Sequence, residues 1–206
     1  MMLFSPADAP PPPSSPQRIV VLASGSGSNF ASIAAAIEGG ELVAELRGVV
    51  CNNPGAYVLE RARVAGVASA VVDHRAYATR EGHDEAVVAA IRDFGADWVV
   101  MAGWMRIATG VLLEAFPGRI LNVHPSLLPA FRGLHAVEQA IAAGVRISGC
   151  TVHVVTPSLD DGPIIAQAAV PVLPGDDAAA LHARIHAVEH ILYPRAIGMA
   201  VVGELG

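Results

Sequence analysis

Short unbroken apolar runs alternate with stretches of helical periodicity along most of the chain. Residues 18–23 (RIVVLA) are rich in β-branched side chains and predict a buried strand. Phe30, Ile33, Ala34 and Ile37 then recur at helical spacing, and Gly39-Gly40 ends that helix. Residues 46–51 predict a second strand, 57–64 a helix, and 70–72 a third strand. Residues 79–94 predict a helix with Val87, Ala90, Ile91 and Phe94 on one face, and 98–102 (WVVMA) an uninterrupted fourth strand. Such alternation of strand and helix implies a parallel sheet covered on both faces.

The rhythm then changes. A short helix at 109–115 precedes a fifth strand at 119–123, and another helix follows at 134–143. Residues 149–155 (GCTVHVV) and 164–172 (IIAQAAVPV) predict strands joined by only 156–163. No crossover helix fits in that span, so the two are expected to pair antiparallel. Asp176 or Asp177 is expected to cap a last helix over 178–201. The fold class is α/β: a Rossmann-like, mostly parallel sheet with helices on both faces and a late antiparallel strand pair.

Composition narrows the class. Of 206 residues, 53% are hydrophobic and 16% charged, which suits a compact domain rather than a disordered chain. No apolar run has the length of a membrane helix. The net charge of −6 disfavours a general nucleic-acid binder, and two cysteines, Cys51 and Cys150, make no disulfide framework. A reduced, cytoplasmic compartment is expected. Residues 1–17 are rich in Pro, Ser and Ala and lack the basic start and apolar core of a secretory signal. They are read as a disordered Pro-rich tail ahead of a single domain, 18–206.

The chemistry concentrates in ILNVHPSLLPAFRG, residues 120–133. Strand side chains alternate, so Asn122 and His124 leave the fifth strand on one side. Ligands of open α/β sheets bind beyond the carboxyl ends of strands. There an amide and an imidazole suit a carbonyl oxygen that gains charge during reaction. The plainer alternative is a strand-end Asn and a His satisfied by backbone.

Four other stretches carry candidate chemistry. SGSGSN, residues 24–29, joins the first strand to the first helix, the setting of an anion site. Phe30 stands where a dinucleotide fingerprint has its third glycine, and Asn52-Asn53 where it has an acid, so a monophosphate fits better than a dinucleotide. LDDG, residues 159–162, is an acidic turn whose aspartates could orient His124. AGWMRI, residues 102–107, follows the fourth strand and could wall a flat heterocycle. His186 to His190 spells H-x-x-E-H, a zinc-peptidase pattern, but only Glu204 remains downstream as a third ligand. A polar helix face edging a pocket, with Glu189 on it, is the simpler reading.

In their order and spacing these motifs resemble the phosphoribosylglycinamide formyltransferases, folate-dependent enzymes of purine synthesis, from Arg18 to about Gly198. The resemblance implies Asn122, His124 and Asp160 as the catalytic trio. It implies Gly27, Ser28 and Asn29 at the ribonucleotide phosphate and Glu189 near the substrate amine. On the folate side it implies Arg80, Met105, Arg106, Ile107, Ala108, Asn122, Thr156 and Asp160. The implied reaction is direct transfer of a formyl group from 10-formyltetrahydrofolate to the amine of glycinamide ribonucleotide, with no metal and no covalent enzyme intermediate. The implied partners are these small molecules, with no nucleic acid and no membrane, and the chain is a monomer or a homodimer.

The family usually has a strand-forming tail after the last helix, whereas this sequence ends at Gly206, and a basic residue sometimes stands at the position of His186. Rival readings are formyltetrahydrofolate deformylase, usually with an N-terminal regulatory domain, and another formyltransferase of the fold. Methionyl-tRNA formyltransferase would need a different first loop and a tRNA-binding domain. A phosphate-ligand sensor would leave the trio without a task, and a nicotinamide oxidoreductase would lack its ribose-binding acid.

Overall fold

A computed structural model describes residues 3–6 and 15–203. Among these residues eight strands form one sheet in the order β1-β8-β7-β6-β5-β2-β3-β4. The strands are β1 (Leu3–Ser5), β2 (Gln17–Ala23), β3 (Ala44–Cys51), β4 (Ser69–Val71), β5 (Trp98–Met101), β6 (Ile120–His124), β7 (Ile147–Val154) and β8 (Ile164–Pro171). Pairing is parallel from β6 through β5, β2 and β3 to β4. It is antiparallel from β6 through β7 and β8 to β1.

The helices are α1 (Ser28–Glu38), α2 (Val58–Val64), α3 (Arg80–Asp93), α4 (Gly110–Ala115), α5 (Ala136–Ala142) and α6 (Ala178–Val201). Strand β2 shows why an unbroken apolar run was needed. Its Ile19, Val21 and Ala23 enter the core that includes Phe30 of α1 and Ile185 of α6. Its Val20 and Leu22 enter a second core with Val87 and Ile91 of α3 and Leu112 of α4. A strand buried on both faces cannot alternate polar and apolar positions. Tyr193 of α6 is fully buried, and its hydroxyl faces the carbonyls of Met101 at 2.9 Å and Leu121 at 3.2 Å. The last helix is thereby fixed to the carboxyl end of β5 and the first residues of β6. No helix among the described residues is long and apolar enough to cross a membrane.

Three local features differ from the sequence expectation. Leu3–Ser5, read as part of a disordered tail, form β1 against the edge of β8. These residues precede the first proline, so their N–H groups can complete an otherwise open sheet edge. Phe4 packs on the core, and the Arg195 guanidinium lies 5.4 Å from its ring centroid. Residues 1–2 and 7–14 of that tail lie outside the described residues. A 3-10 turn at His74–Ala76, unanticipated, is started by Asp73, whose side chain accepts from Arg75 N. Helix α5 starts at Ala136 rather than 134, because His135 adopts a left-handed conformation with φ 60°. At α6 the cap is Asp177, which accepts from Ala180 N at 2.7 Å, while Asp176 pairs with Arg184.

Candidate active site

Strand β6 ends in the centre of the sheet, between parallel β5 and antiparallel β7. The loop leaving it, residues 125–133, is held from beneath by the two antiparallel strands. Thr151 Oγ1 of β7 donates to Ser126 O at 2.7 Å and accepts from Leu128 N at 3.0 Å. Gln167 Nε2 of β8 donates to Leu128 O at 2.9 Å. Because Thr151 is fully buried, its bonds to Ser126 O and Leu128 N are made in a low-dielectric setting where leaving them open would be expensive.

Asn122 and His124 do share a face, and the antiparallel register adds a third group. His153 of β7 sits directly opposite Asn122. Asn122 Nδ2 lies 3.3 Å from His153 Nε2, while His153 Nδ1 lies 3.0 Å from Val154 O. Val154 O takes the proton of Nδ1, and Nε2 lies between the Asn122 amide and the Asp160 carboxylate. His124 Nε2 donates to Phe131 O at 2.8 Å, and its Nδ1 lies 3.3 Å from Asp160 Oδ2. Both ring nitrogens therefore face oxygen acceptors.

Asp160 joins the two histidines. Its Oδ1 is 3.6 Å from His153 Nε2, and its Oδ2 accepts from Gly133 N at 2.9 Å. It lies in the turn after β7 with φ 49°, a left-handed conformation that Asp tolerates better than most residues. Gly162 closes the same turn. A Cβ there would stand 1.8 Å from Val154 O, so only glycine lets the turn fold back on β7. Burial opposes the charge on Asp160. The His153 side chain, the Gly133 N–H and the field of His124 outweigh it and hold the carboxyl below its ordinary range. Asp161, the other aspartate of LDDG, instead pairs with Arg132 across the mouth of the two loops.

At the amino end of α1 the backbone makes a second polar site. Gly27 precedes the helix with φ 72°, and no side chain caps the first turn. The N–H groups there are free for an anion. Ser28 Oγ lies 2.8 Å from His186 Nε2 of α6, and buried Asn29 donates to buried Glu189 Oε2 at 3.1 Å. Arg61 Nε anchors on Ser26 O at 2.9 Å. Burial, with His186 and Arg61 nearby, pushes the His190 imidazole below its ordinary range. The two residues of H-x-x-E-H that face this loop, His186 and Glu189, are thus matched to Ser28 and Asn29. Among the described residues no group of three His, Cys, Asp or Glu could hold a metal ion.

The first loop and the segment after β5 are tied together. Ser24 Oγ accepts from Met105 N at 2.9 Å, and Ser24 N donates to Gly103 O at 3.1 Å. Beyond that tie, Met105 is 74% and Ile107 59% exposed, an unusual concentration of bare apolar surface beside a polar site. Arg106 and Ala108 are partly covered, and Arg80 is exposed at the first position of α3. Thr156 Oγ1 donates to Ser158 O at 3.2 Å within the acidic turn. His153 and Thr151 are the members of this region that sequence reasoning passed over. Their signal was the alternation within GCTVHVV, which places a His and a Thr on the face shared with Asn122 and His124 once β6 and β7 are in register.

Residues 17–197 match the family described as Formyl transferase. The chain is 42% identical over 187 residues to phosphoribosylglycinamide formyltransferase of Escherichia coli (strain K12), covering 91% of this chain and 88% of that protein. It is also 42% identical over 189 residues to the trifunctional purine biosynthetic protein adenosine-3 of Drosophila melanogaster, covering 91% of this chain but 14% of that protein. The chain thus spans about one-seventh of the trifunctional insect relatives it matches. Glycinamide ribonucleotide transformylase 1 from Symbiobacterium toebii superposes with a TM-score of 0.88 at 49% identity, over 89% of this chain and 87% of that one.

Proposed function

The chain belongs to the formyl transferase family, and from that premise we propose that it transfers a formyl group from 10-formyltetrahydrofolate to the amine of glycinamide ribonucleotide. The observation that carries this reading is the pairing of two sites. One is the Asn122–His153–Asp160–His124 network at the end of β6. The other is the uncapped start of α1 beside His186 and Glu189. The α1 site suits a substrate phosphate, and Glu189 a cationic or hydrogen-bonding amine. The exposed Met105 and Ile107, with Arg106, Ala108, Thr156 and Arg80, would receive the folate.

In the reaction the neutral amine attacks the formyl carbon and the carbonyl oxygen gains negative charge. The Asn122 amide carries two N–H donors, one turned to His153, so the other is available to that oxygen. His124 gives its Nε2–H to the neutral Phe131 carbonyl in this structure. A developing oxyanion is the stronger acceptor and displaces that carbonyl as charge builds. Asp160 balances the imidazole on its other side and offers a path by which the amine proton reaches the departing folate nitrogen.

The test is tetrahydrofolate release from 10-formyltetrahydrofolate, with and without glycinamide ribonucleotide. Release that requires the ribonucleotide and yields formylated product in equal amount is expected. Release into water alone would make the chain a deformylase, and no release in either case would sink the reading. The phosphate end has its own test in Gly27→Ala. The added Cβ would lie 2.5 Å from Val58 Cγ2, at a φ of 72° that L residues rarely adopt. Strain of roughly 1–3 kcal/mol then pushes the loop off the helix start, and ribonucleotide affinity measured by calorimetry falls by about tenfold or more. Unchanged affinity would remove this loop from the site.

A further inference from the structure

Helix α3 carries a buried pair, His83 and Asp84, that lies outside the network at β6. They are 2% and 1% exposed. Asp84 Oδ2 accepts from Thr109 N at 2.7 Å. His83 Nε2 donates to Val72 O at 3.0 Å, which fixes its proton on that nitrogen, and Nδ1 lies 3.5 Å from Asp84 Oδ1. The His83 ring stacks on Trp104 with centroids 5.9 Å apart and planes 14° apart. His74 and Tyr77 meet the same imidazole edge-on.

Trp104 and Thr109 bracket Met105, Arg106, Ile107 and Ala108, and this segment has no regular structure. On its amino side Met105 N is anchored to Ser24. On its carboxyl side the anchor is Asp84. A buried carboxylate is costly unless hydrogen-bonded, so the Asp84–Thr109 bond is a strong constraint on where the segment ends. Arg80, His83 and Asp84 stand at i, i+3 and i+4 and so share one side of the first turns of α3. One stretch of helix therefore presents Arg80 and supports the bare apolar wall opposite.

We infer that His83 and Asp84 are positioning residues for the formyl donor: by gripping Trp104 and Thr109 they hold the 103–109 segment in the shape that walls the folate. The inference rests on the formyl-donor reading above. A core pair with no such role would lower whole-domain stability and weaken both substrates together, whereas a positioning pair acts on the donor alone.

Steady-state kinetics and backbone hydrogen exchange on the full chain separate these cases. In Asp84→Ala the KM for 10-formyltetrahydrofolate is expected to rise about tenfold or more, because a charge-assisted bond is lost, with the KM for the ribonucleotide within about twofold. Exchange of the 103–109 amides accelerates by a similar factor of about ten while the distal turns of α3 stay protected. Asp84→Asn keeps an oxygen acceptor for Thr109 and recovers most of both losses. His83→Phe keeps a ring on Trp104, loses the bond to Val72, and gives a smaller donor-specific rise. Unchanged loop exchange in Asp84→Ala, equal rises in both KM values, or an Asn variant as impaired as Ala would overturn the inference. If the unaltered protein transfers no formyl group, the functional reading fails separately, and the exchange data alone decide whether the pair holds the segment.

Discussion

His124→Ala is expected to lower turnover by about 10²–10³-fold while the KM of each substrate moves little, because the lost donor acts on charge that exists only in the transition state. The ring is 6% exposed, with Asp160 at 3.3 Å on one nitrogen and Phe131 O at 2.8 Å on the other. Removing it also frees the Phe131 carbonyl, so some of the loss could come from a slack 125–133 loop. His124→Gln separates the two effects. Its side-chain amide can donate to Phe131 O and restore the brace, but it cannot carry a proton between amine and folate nitrogen. Turnover should therefore stay low in Gln while thermal stability recovers toward the unaltered protein. Recovery of turnover in Gln would reduce His124 to a brace, and near-normal turnover in Ala would remove it from the chemistry.

How much of this site could be read in advance depended on whether the information was local. The period of two in a strand puts Asn122 and His124 on one side whatever their surroundings, and they leave β6 as expected. The last helix runs over Ala178–Val201 as expected, because the aspartate that starts it is a local cap signal. The late antiparallel pair followed from a connection too short for a crossover. His153 was not legible in the same way. Its importance comes from facing Asn122 across the β6–β7 register, and nothing within V-H-V states which residue that will be. Thr151 and Gln167 are missed for the same reason, since their partners are carbonyls of a distant loop. The strand at Leu3–Ser5 depends on an open edge of β8, a feature of the assembled sheet alone. The His83–Trp104 stack likewise joins α3 to the segment after β5. Asp160 stands between these cases: its turn is written in L-D-D-G, but which aspartate turns inward depends on the left-handed φ at 160 and on Arg132 drawing Asp161 outward.

Asp160→Asn is expected to cost roughly 10²–10⁴-fold in turnover while leaving the fold in place, since proton transfer and the balance of charge at His124 both go through this carboxylate. The substitution fits the geometry unusually well. The retained oxygen can still accept from Gly133 N, now 2.9 Å from Asp160 Oδ2. The new amide nitrogen would stand in the place of Oδ1, 3.6 Å from His153 Nε2. Shape and the Gly133 bond are thus kept, and what disappears is the negative charge. The same charge gives a signature in stability. The folded-state pKa of Asp160 is depressed, because His153, Gly133 N–H and His124 together outweigh the opposing effect of burial. A carboxyl of that kind stabilises the fold above its unfolded pKa of about 3.9 and loses the contribution as pH falls through its lower folded value. Denaturant unfolding of the two proteins should therefore differ between pH 5 and 8, and the difference should shrink from about pH 4 downward and vanish only below the lower folded value. A difference that persists unchanged in acid would mean that the Asn side chain had disturbed the turn. Full turnover at neutral pH would mean that His124 works without its carboxylate partner.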